Sequence, residues 1–216
     1  MKYSKLIPAL FLAIASFVTL NGQNATPSFQ EFIAQFPKAS LPYSFQAQDL
    51  QTQIETRPAN KANRLSWEFY QYLPELERSA AYSNMPVVPE PVAVFETKEY
   101  TAVLYNLARG LARGNKSYSI TVYTNKGEYI GTHFVAGVNP EGLTSVTIDA
   151  TLSAEVQEYK LTWANDYRQN GPIGNKVTGL TLVETGKFFL ATEGNPDQLI
   201  WASINAGSTA NLAKMK

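Results

Sequence analysis

One histidine and several glutamate pairs are the side chains of this sequence most suited to catalysis. His133 is the only imidazole in the chain, so a Ser-His-Asp mechanism or an imidazole metal site would have to use it. It alternates with Thr132 and Phe134 in an extended stretch, which predicts a solvent-facing or half-buried strand histidine. The sequence contains no G-x-S-x-G elbow, no H-x-H or H-E-x-x-H pair and no Asp-rich calcium loop. We therefore predict no metal site and name no catalytic residue.

Pairs of carboxylates are the second kind of side chain that could catalyse a reaction, because glycoside hydrolysis needs two acids roughly 5 to 10 Å apart across a cleft. Glutamates near strand ends are also ordinary solubilising residues, so catalysis by them is an alternative hypothesis. Three pairs lie near predicted turns: Glu96 with Glu99, Glu155 with Glu158, and Glu184 with Glu193.

Candidate ligand-binding residues come from cations and aromatic rings. The tandem Leu-Ala-Arg-Gly repeat over 107–114 presents two arginines, but it leads into a strand, whereas a phosphate loop leads into a helix. Trp67, Trp163 and Trp201 are predicted to be core, while Tyr105, Tyr123 and Tyr167 are predicted to be exposed. The loops 136–142 and 169–176 form the first search area for a site. The candidate ligand-binding residues are Tyr105, Arg109, Arg113, Tyr123, His133 and Tyr167.

Composition excludes several function classes. The chain has 216 residues, with 18 Lys plus Arg against 18 Asp plus Glu, so no global field attracts a nucleic acid. It has no cysteine, which excludes disulfides, thiolate zinc sites and a thiol nucleophile. No cofactor-binding loop is recognisable, and we predict no cofactor.

The amino terminus predicts export. Lys2 and Lys5 precede an apolar run over 6–20, and a polar break follows it. The run is about 15 residues long, whereas a membrane-spanning helix needs roughly 20. We expect a signal peptide over 1–23, cleavage between Gly22 and Ala25, and no transmembrane segment afterwards. Because no cysteine follows the run for lipid attachment, the expected location is the periplasm or the extracellular space of a bacterium.

The segment 24–90 is predicted to be helical and extended and to pack on a sheet. Ser28 with Glu31 forms a capping box that starts a short amphipathic helix ending at Pro37. Residues 41–45 are predicted to be extended, 49–64 to be a polar surface segment, and 61–78 to be a second helix that Pro74 kinks or ends. Three prolines make 85–92 a stiff extended connector.

The remainder, 91–216, is predicted to be an antiparallel β domain of about nine strands. Tyr118, Ile120 and Val122 alternate with Ser and Thr, which predicts one dry face and one wet face. Hairpin turns are expected at 124–128 and 184–187, and a last strand at 199–204. The fold class is α+β, mainly β: an antiparallel β-meander with one or two short N-terminal helices. Alternation alone leaves an open sheet, a sandwich and a barrel-like closure open.

The export signal, the Phe-rich helix ending Phe36-Pro37-Lys38-x-x-Leu41-Pro42-Tyr43, and the hairpin Asn125-Lys126-Gly127-Glu128-Tyr129-Ile130 together resemble exported bacterial proteins of uncharacterised function. The resemblance implies the location and the C-terminal meander, and it brings no activity or site residues.

Three hypotheses for function follow. The first is an exported non-catalytic β-rich module that binds a ligand or a protein partner at the cell envelope. The partner would be a small ligand, a glycan or an envelope protein, and not a nucleic acid. The second is a carbohydrate-active or other hydrolytic enzyme that uses Glu carboxylates, and the third is a structural subunit of an envelope assembly.

Overall fold

The computed structural model of the chain describes residues 26–55, 64–74, 76, 87–109, 116–171 and 174–192. Eight of the described segments are strands: β1 Tyr43–Phe45, β2 Val87–Glu96, β3 Tyr100–Arg109, β4 Lys116–Thr124, β5 Tyr129–Val138, β6 Gly142–Ile148, β7 Ser153–Trp163 and β8 Val177–Phe189. The described helices are α1 Phe29–Ile33, α2 Ala47–Glu55, a 3-10 helix over Trp67–Tyr72, and α3 Tyr167–Asn170.

The strands form one antiparallel meander in the order β2-β3-β4-β5-β6-β7-β8, with β1 paired to β6. This confirms the α+β, mainly β class. β5 pairs with β6 at only two positions, Gly137 with Thr144 and Val138 with Leu143. Further along its length β6 pairs with β1, where Tyr43 lies opposite Ile148. Within the part of the chain described above, no pairing joins β2 to β8.

Both faces of the β2–β4 part of the sheet are buried. On one face Ala102 lies opposite Phe95 and Val122, and these residues share a core with β6 and β7. On the other face Val103 lies opposite Thr121, in a second core built with α1 and the 3-10 helix. The predicted wet face of β4 is therefore wrong, because the N-terminal helices cover it.

Hydroxyl groups on that covered face bond to one another. Thr121 Oγ1 lies 2.9 Å from the Tyr105 hydroxyl and 2.8 Å from Thr132 Oγ1, and Thr121 is fully buried. Buried hydroxyls need such partners, since leaving one unpaired costs about 1–3 kcal/mol. The Ser and Thr positions of this strand thus serve a core, which alternation by itself does not reveal.

The first helix begins as the sequence predicts, but it ends at Ile33, before the predicted end at Pro37. Ser28 Oγ accepts a hydrogen bond from the Glu31 N–H at 3.2 Å, and the Glu31 carboxylate accepts one from the Ser28 N–H at 2.7 Å. This capping box satisfies two of the N–H groups that a helix start leaves free. Phe32 and Phe36 on the inner face are buried in the second core.

Two predictions in the N-terminal segment are wrong. The polar surface segment predicted from residue 49 begins inside α2, whose Leu50 is fully buried against β5 and β6. The helix predicted over 61–78 is present only in part: a 3-10 helix covers Trp67–Tyr72, Pro74 and Leu76 are helical, and residues 61–63, 75, 77 and 78 lie outside the described part. Leu65 and Phe69 point into the second core, while Trp67, predicted to be core, lies on the opposite side with 78% of its surface exposed.

One of the two predicted hairpins is confirmed and the other is wrong. The 124–128 turn joins β4 to β5, and Gly127 adopts φ +87, a conformation that favours glycine. Residues 184–187 form no turn, because β8 runs straight through them and pairs with β7 from Ser153 to Trp163. Gly186 lies opposite Val156 in the middle of that ladder.

Several predictions fall outside the described residues: the signal peptide over 1–23, Arg113, Glu193, Trp201 and the strand over 199–204.

β2 begins at Val87, within the predicted connector and before the predicted domain boundary at 90. Its prolines are tolerated because β2 ends the strand order, and its outer edge makes only one isolated bridge among the described residues, between Val94 and Lys38. No helix in the described residues is long and apolar enough to cross a membrane.

Candidate ligand-binding cleft

A cleft of about 910 Å³ lies where two turns of the meander meet. Residues 95–100 line it from the end of β2 through the turn into β3, and residues 150–152 line it from the turn between β6 and β7. The segment 39–41 and Phe189 at the end of β8 complete the walls. Chain segments distant in sequence thus meet around one concave surface.

The walls of the cleft are mainly aromatic and aliphatic. Phe95 is fully buried, and the ring of Tyr100 lies 6.4 Å from that of Phe189 in an edge-on arrangement. The half-buried Leu41 adds aliphatic surface. Small-molecule sites are typically concave and apolar with a few placed polar groups, and this cleft has that build.

Charged side chains line part of the cleft. Glu96 pairs with Lys38, with 3.3 Å between Nζ and Oε2. Lys98 and Glu99 are exposed and line the cleft beside this pair. A ligand in the cleft would therefore meet one cation and one carboxylate in addition to the Lys38–Glu96 ion pair.

Hydrogen bonds fix the turn between β2 and β3. The Thr97 hydroxyl accepts from the Tyr100 N–H at 3.0 Å and donates to the Tyr100 carbonyl at 3.1 Å. Asn125, in the neighbouring hairpin, donates its amide N–H groups to the carbonyls of Thr97 at 3.3 Å and Lys98 at 2.8 Å. The turn is held from two sides before any ligand arrives, which lowers the cost of ordering the site on binding.

The facing turn is fixed by Asp149. Its Oδ1 accepts hydrogen bonds from the Thr151 N–H at 2.8 Å, the Thr151 hydroxyl at 2.7 Å and the Ser153 N–H at 3.0 Å. These bonds, led by the Thr151 hydroxyl, lower the pKa of the Asp149 carboxyl. Leu152 lies within this turn at φ +60 and is fully buried. A non-glycine residue is uncommon in that conformation, so its surroundings must hold it there.

The two tyrosines predicted to be exposed on β3 and β4 are buried, and that prediction is wrong. Tyr105 is 0% exposed and Tyr123 is 1% exposed. Both lie on the sheet face that the N-terminal helices cover, and the Tyr123 hydroxyl donates to the backbone carbonyl of Tyr72. Their rings are therefore part of the second core.

His133 is buried, which corrects the prediction of a solvent-facing or half-buried side chain. It is 4% exposed, and its ring lies 5.5 Å from that of Phe188. Its Nε2 lies 3.0 Å from the carbonyl of Leu190 and 3.3 Å from that of Thr192. Burial lowers the pKa of His133, while the two carbonyls act in the opposite direction.

Tyr167 lies apart from the cleft. It begins α3, is half-buried, and its ring lies 5.3 Å from that of Trp163, which is half-buried against the first core. Arg109 ends β3. Tyr167 does not line the cleft, and neither do Tyr105, Tyr123 and His133. Their predicted ligand-binding role stays a prediction.

The search area in the loops 136–142 and 169–176 also lies away from the cleft. Residues 136–138 belong to β5, and residues 169 and 170 to α3. Glu96 and Glu99, one of the three glutamate pairs considered for hydrolysis, do line the cleft. The aromatic walls carried no signal, because they come from three separate parts of the chain.

The other glutamates among the described residues do not line the cleft. Glu158 lies opposite Glu184 on β7 and β8, and burial together with the Glu184 charge raises the pKa of Glu158. Glu155 lies opposite Lys187. Among the described residues, no group of three or more His, Asp or Glu side chains is placed to hold a metal ion.

Comparison of the chain with protein-family models, with curated proteins and with solved structures finds no match.

Proposed function

We propose that this chain is an exported, non-catalytic module that binds a small organic ligand in the cleft between the 95–100 and 150–152 turns. The observation that carries the proposal is the cleft itself: about 910 Å³, within the range of roughly 300 to 1,000 Å³ that small-molecule sites occupy. The apolar part of the ligand lies against Tyr100 and Phe189. Its polar end lies near Lys98 and Glu99.

Filling the cleft tests this proposal. The apolar dye 1-anilinonaphthalene-8-sulfonate serves as the probe, and its fluorescence is titrated against the protein. Ala150 is exposed and lines the cleft, so Ala150→Trp inserts an indole there. Ala164→Trp is the matched control, because Ala164 is also exposed and does not line the cleft.

We expect Ala150→Trp to weaken dye binding by roughly tenfold, which corresponds to about 1.4 kcal/mol. Ala164→Trp should bind the dye like the unaltered protein. Equal binding by all three proteins, or equal weakening by both variants, would refute the cleft as the ligand site.

Hydrolysis is the second candidate function, and the two carboxylates that line the cleft, Glu96 and Glu99, favour it. A general acid normally needs a raised pKa, and the glutamate whose pKa burial raises is Glu158, which does not line the cleft. The binding module therefore ranks first.

Turnover separates the two candidates. Nitrophenyl glycosides of several sugars are incubated with the protein and with Glu96→Gln and Glu99→Gln. A binding module gives no release of nitrophenol above background in any of the three. Release by the unaltered protein that either substitution reduces by about a hundredfold or more would establish the hydrolase instead.

Export is supported by the basic start, the apolar run over 6–20 and the polar break after it. The full chain is expressed in a bacterium, and the amino terminus of the exported protein is sequenced. We expect it between residues 23 and 25. Leu12→Arg, which interrupts the run, should retain the chain in the cytoplasm, and Gln30→Arg on the exposed face of α1 should not. A full-length chain in the cytoplasm without the substitution would contradict export.

A further inference from the structure

A short strap after β8, Leu190 to Thr192, lies against His133 and forms part of the support of the cleft. The carbonyls of Leu190 and Thr192 lie 3.0 and 3.3 Å from His133 Nε2. Carbonyls only accept hydrogen bonds, so Nε2 carries the proton and donates to both. One imidazole therefore donates hydrogen bonds to both ends of the strap.

The strap in turn holds two residues of the cleft wall. The Leu190 N–H donates to the carbonyl of Leu152 at 2.9 Å, and the Leu190 side chain is fully buried in the first core. Phe189 directly precedes the strap, and both Leu152 and Phe189 line the cleft. Leu152 sits at φ +60, so loss of this support would let its backbone relax.

We propose that His133 is a positioning residue of the cleft. Its neutral imidazole holds the strap in place by hydrogen bonds, and the strap holds Leu152 and Phe189 in the cleft wall. Protonation of His133 in acid opens the strap and weakens ligand binding. This inference rests on the proposed ligand-binding function of the cleft. His133 does not line the cleft, so it acts through the strap.

The surroundings of the ring explain why a charge would open the strap. His133 lies opposite Ile120 on β4 and packs against Phe188 on β8, and apolar neighbours cannot solvate an imidazolium. Burial is the dominant influence on the pKa of His133 and lowers it. Opening of the strap lets water reach the ring, so the open state takes up the proton more readily than the closed state.

The sign of the pH dependence follows from this lowered pKa. The closed strap is favoured above the ordinary histidine pKa, about 6.5, and this preference is lost as the pH falls below it. Each pH unit below that value favours the open state by up to about tenfold, until the closed state also takes up the proton.

His133 is the only histidine of the chain, so no second imidazole titrates with it. The tyrosines packed in the first core are phenols, which stay neutral in acid. Asp149, in the turn that carries Leu152, has a lowered pKa and stays charged at about pH 5. The nearby Lys187 ammonium contributes to the lowering of the Asp149 pKa. No charged side chain contributes to the pKa shift of His133.

The test measures hydrogen exchange of the Leu190 amide by NMR, at about pH 7.5 and about pH 5, corrected for the intrinsic exchange rate. The Leu65 amide is the internal control, since it donates to the Pro89 carbonyl at 2.9 Å, the same length as the Leu190 bond, far from His133 in the second core. His133→Gln is the variant, because glutamine retains an N–H donor for the carbonyls and does not titrate.

We expect protection of the Leu190 amide to fall about tenfold or more on acidification in the unaltered protein, with the Leu65 amide unchanged. In His133→Gln, protection of Leu190 should not depend on pH. Equal loss at Leu65 would indicate global unfolding and overturn the proposal. The same pH dependence in His133→Gln, or no pH dependence in the unaltered protein, would also overturn it.

Binding of 1-anilinonaphthalene-8-sulfonate at the same two pH values completes the test. Weaker dye binding in acid by the unaltered protein but not by His133→Gln supports the coupling. If the strap opens in acid but the affinity for the dye does not change with pH, the proposed coupling is refuted. Dye binding that survives Ala150→Trp refutes the cleft as the site, whatever the strap does, so failure of the two proposals can be told apart.

Discussion

Glu158 and Glu184 lie directly opposite each other on β7 and β8, an arrangement that should cost stability. Glu158 is half-buried, and among the described residues its carboxylate has no hydrogen-bond partner. Burial first, and then the Glu184 charge, raises its pKa. Like charges opposite each other across strands destabilise a sheet by about 0.2–1 kcal/mol, and partial solvent exposure places this pair near the middle of that range.

Glu158→Gln removes one charge and retains the shape of the side chain. We expect the free energy of unfolding at neutral pH to rise by about 0.5 kcal/mol, which moves the urea midpoint up by about 0.2 M for an m-value near 2 kcal/mol/M. The pKa of Glu158 is raised in the folded state, so the penalty is absent below the ordinary glutamate pKa and grows as the pH rises. The gain should therefore vanish below about pH 4.

The matched control is Glu155→Gln on the same strand, because Glu155 lies opposite Lys187 and the substitution removes an attraction. We expect it to leave stability unchanged or lower it by up to about 1 kcal/mol. Urea unfolding followed by circular dichroism at neutral pH and at about pH 4 measures both variants. A loss of stability in Glu158→Gln, or the same gain at both pH values, would refute the reasoning.

Two further predictions concern the cores. Thr121→Val breaks the buried hydroxyl chain to Thr132, and urea unfolding should show a loss of about 1–3 kcal/mol; unaltered stability would mean that the chain carries no net stabilisation. Gly127→Ala would place a Cβ 2.7 Å from the ring of Phe29 at φ +87, so its loss should exceed that of Gly171→Ala, where φ is +66 and no atom lies within 4 Å. We expect the positive φ to cost each variant about 1–2 kcal/mol of folding free energy, and the clash to cost Gly127→Ala about 1–3 kcal/mol more. Equal melting temperatures for the two variants would contradict this prediction.

The parts of this fold that local chemistry determines were predictable from the sequence. The Ser28 capping box and the turn at Gly127 each depend on a few neighbouring residues, and both are present. The turn predicted around Gly186 was wrong because the pairing of β8 with a long β7 outweighs the local turn preference. Local pattern and long-range pairing compete there, and pairing prevails.

The local sequence pattern could not predict the burial of Tyr105 or the position of the cleft. Alternation indicates two faces of a strand but not whether a distant helix covers the polar one, and here α1 and the 3-10 helix do so. The cleft forms from turns about 50 residues apart in sequence, which the meander brings together. No described candidate ligand-binding residue lines the cleft; Glu96 and Glu99, which do, were considered only as one of three possible catalytic pairs.

Ligand binding in the cleft is tested most directly by NMR, with a library of small organic fragments added to the ¹⁵N-labelled chain. We predict that fragments which bind shift the amide signals of residues 95–100 and 150–152 and of Phe189, and that Ala150→Trp abolishes these shifts. Fragment-induced shifts that cluster elsewhere, or a library that shifts no signal around the cleft, would contradict a ligand-binding function at this site.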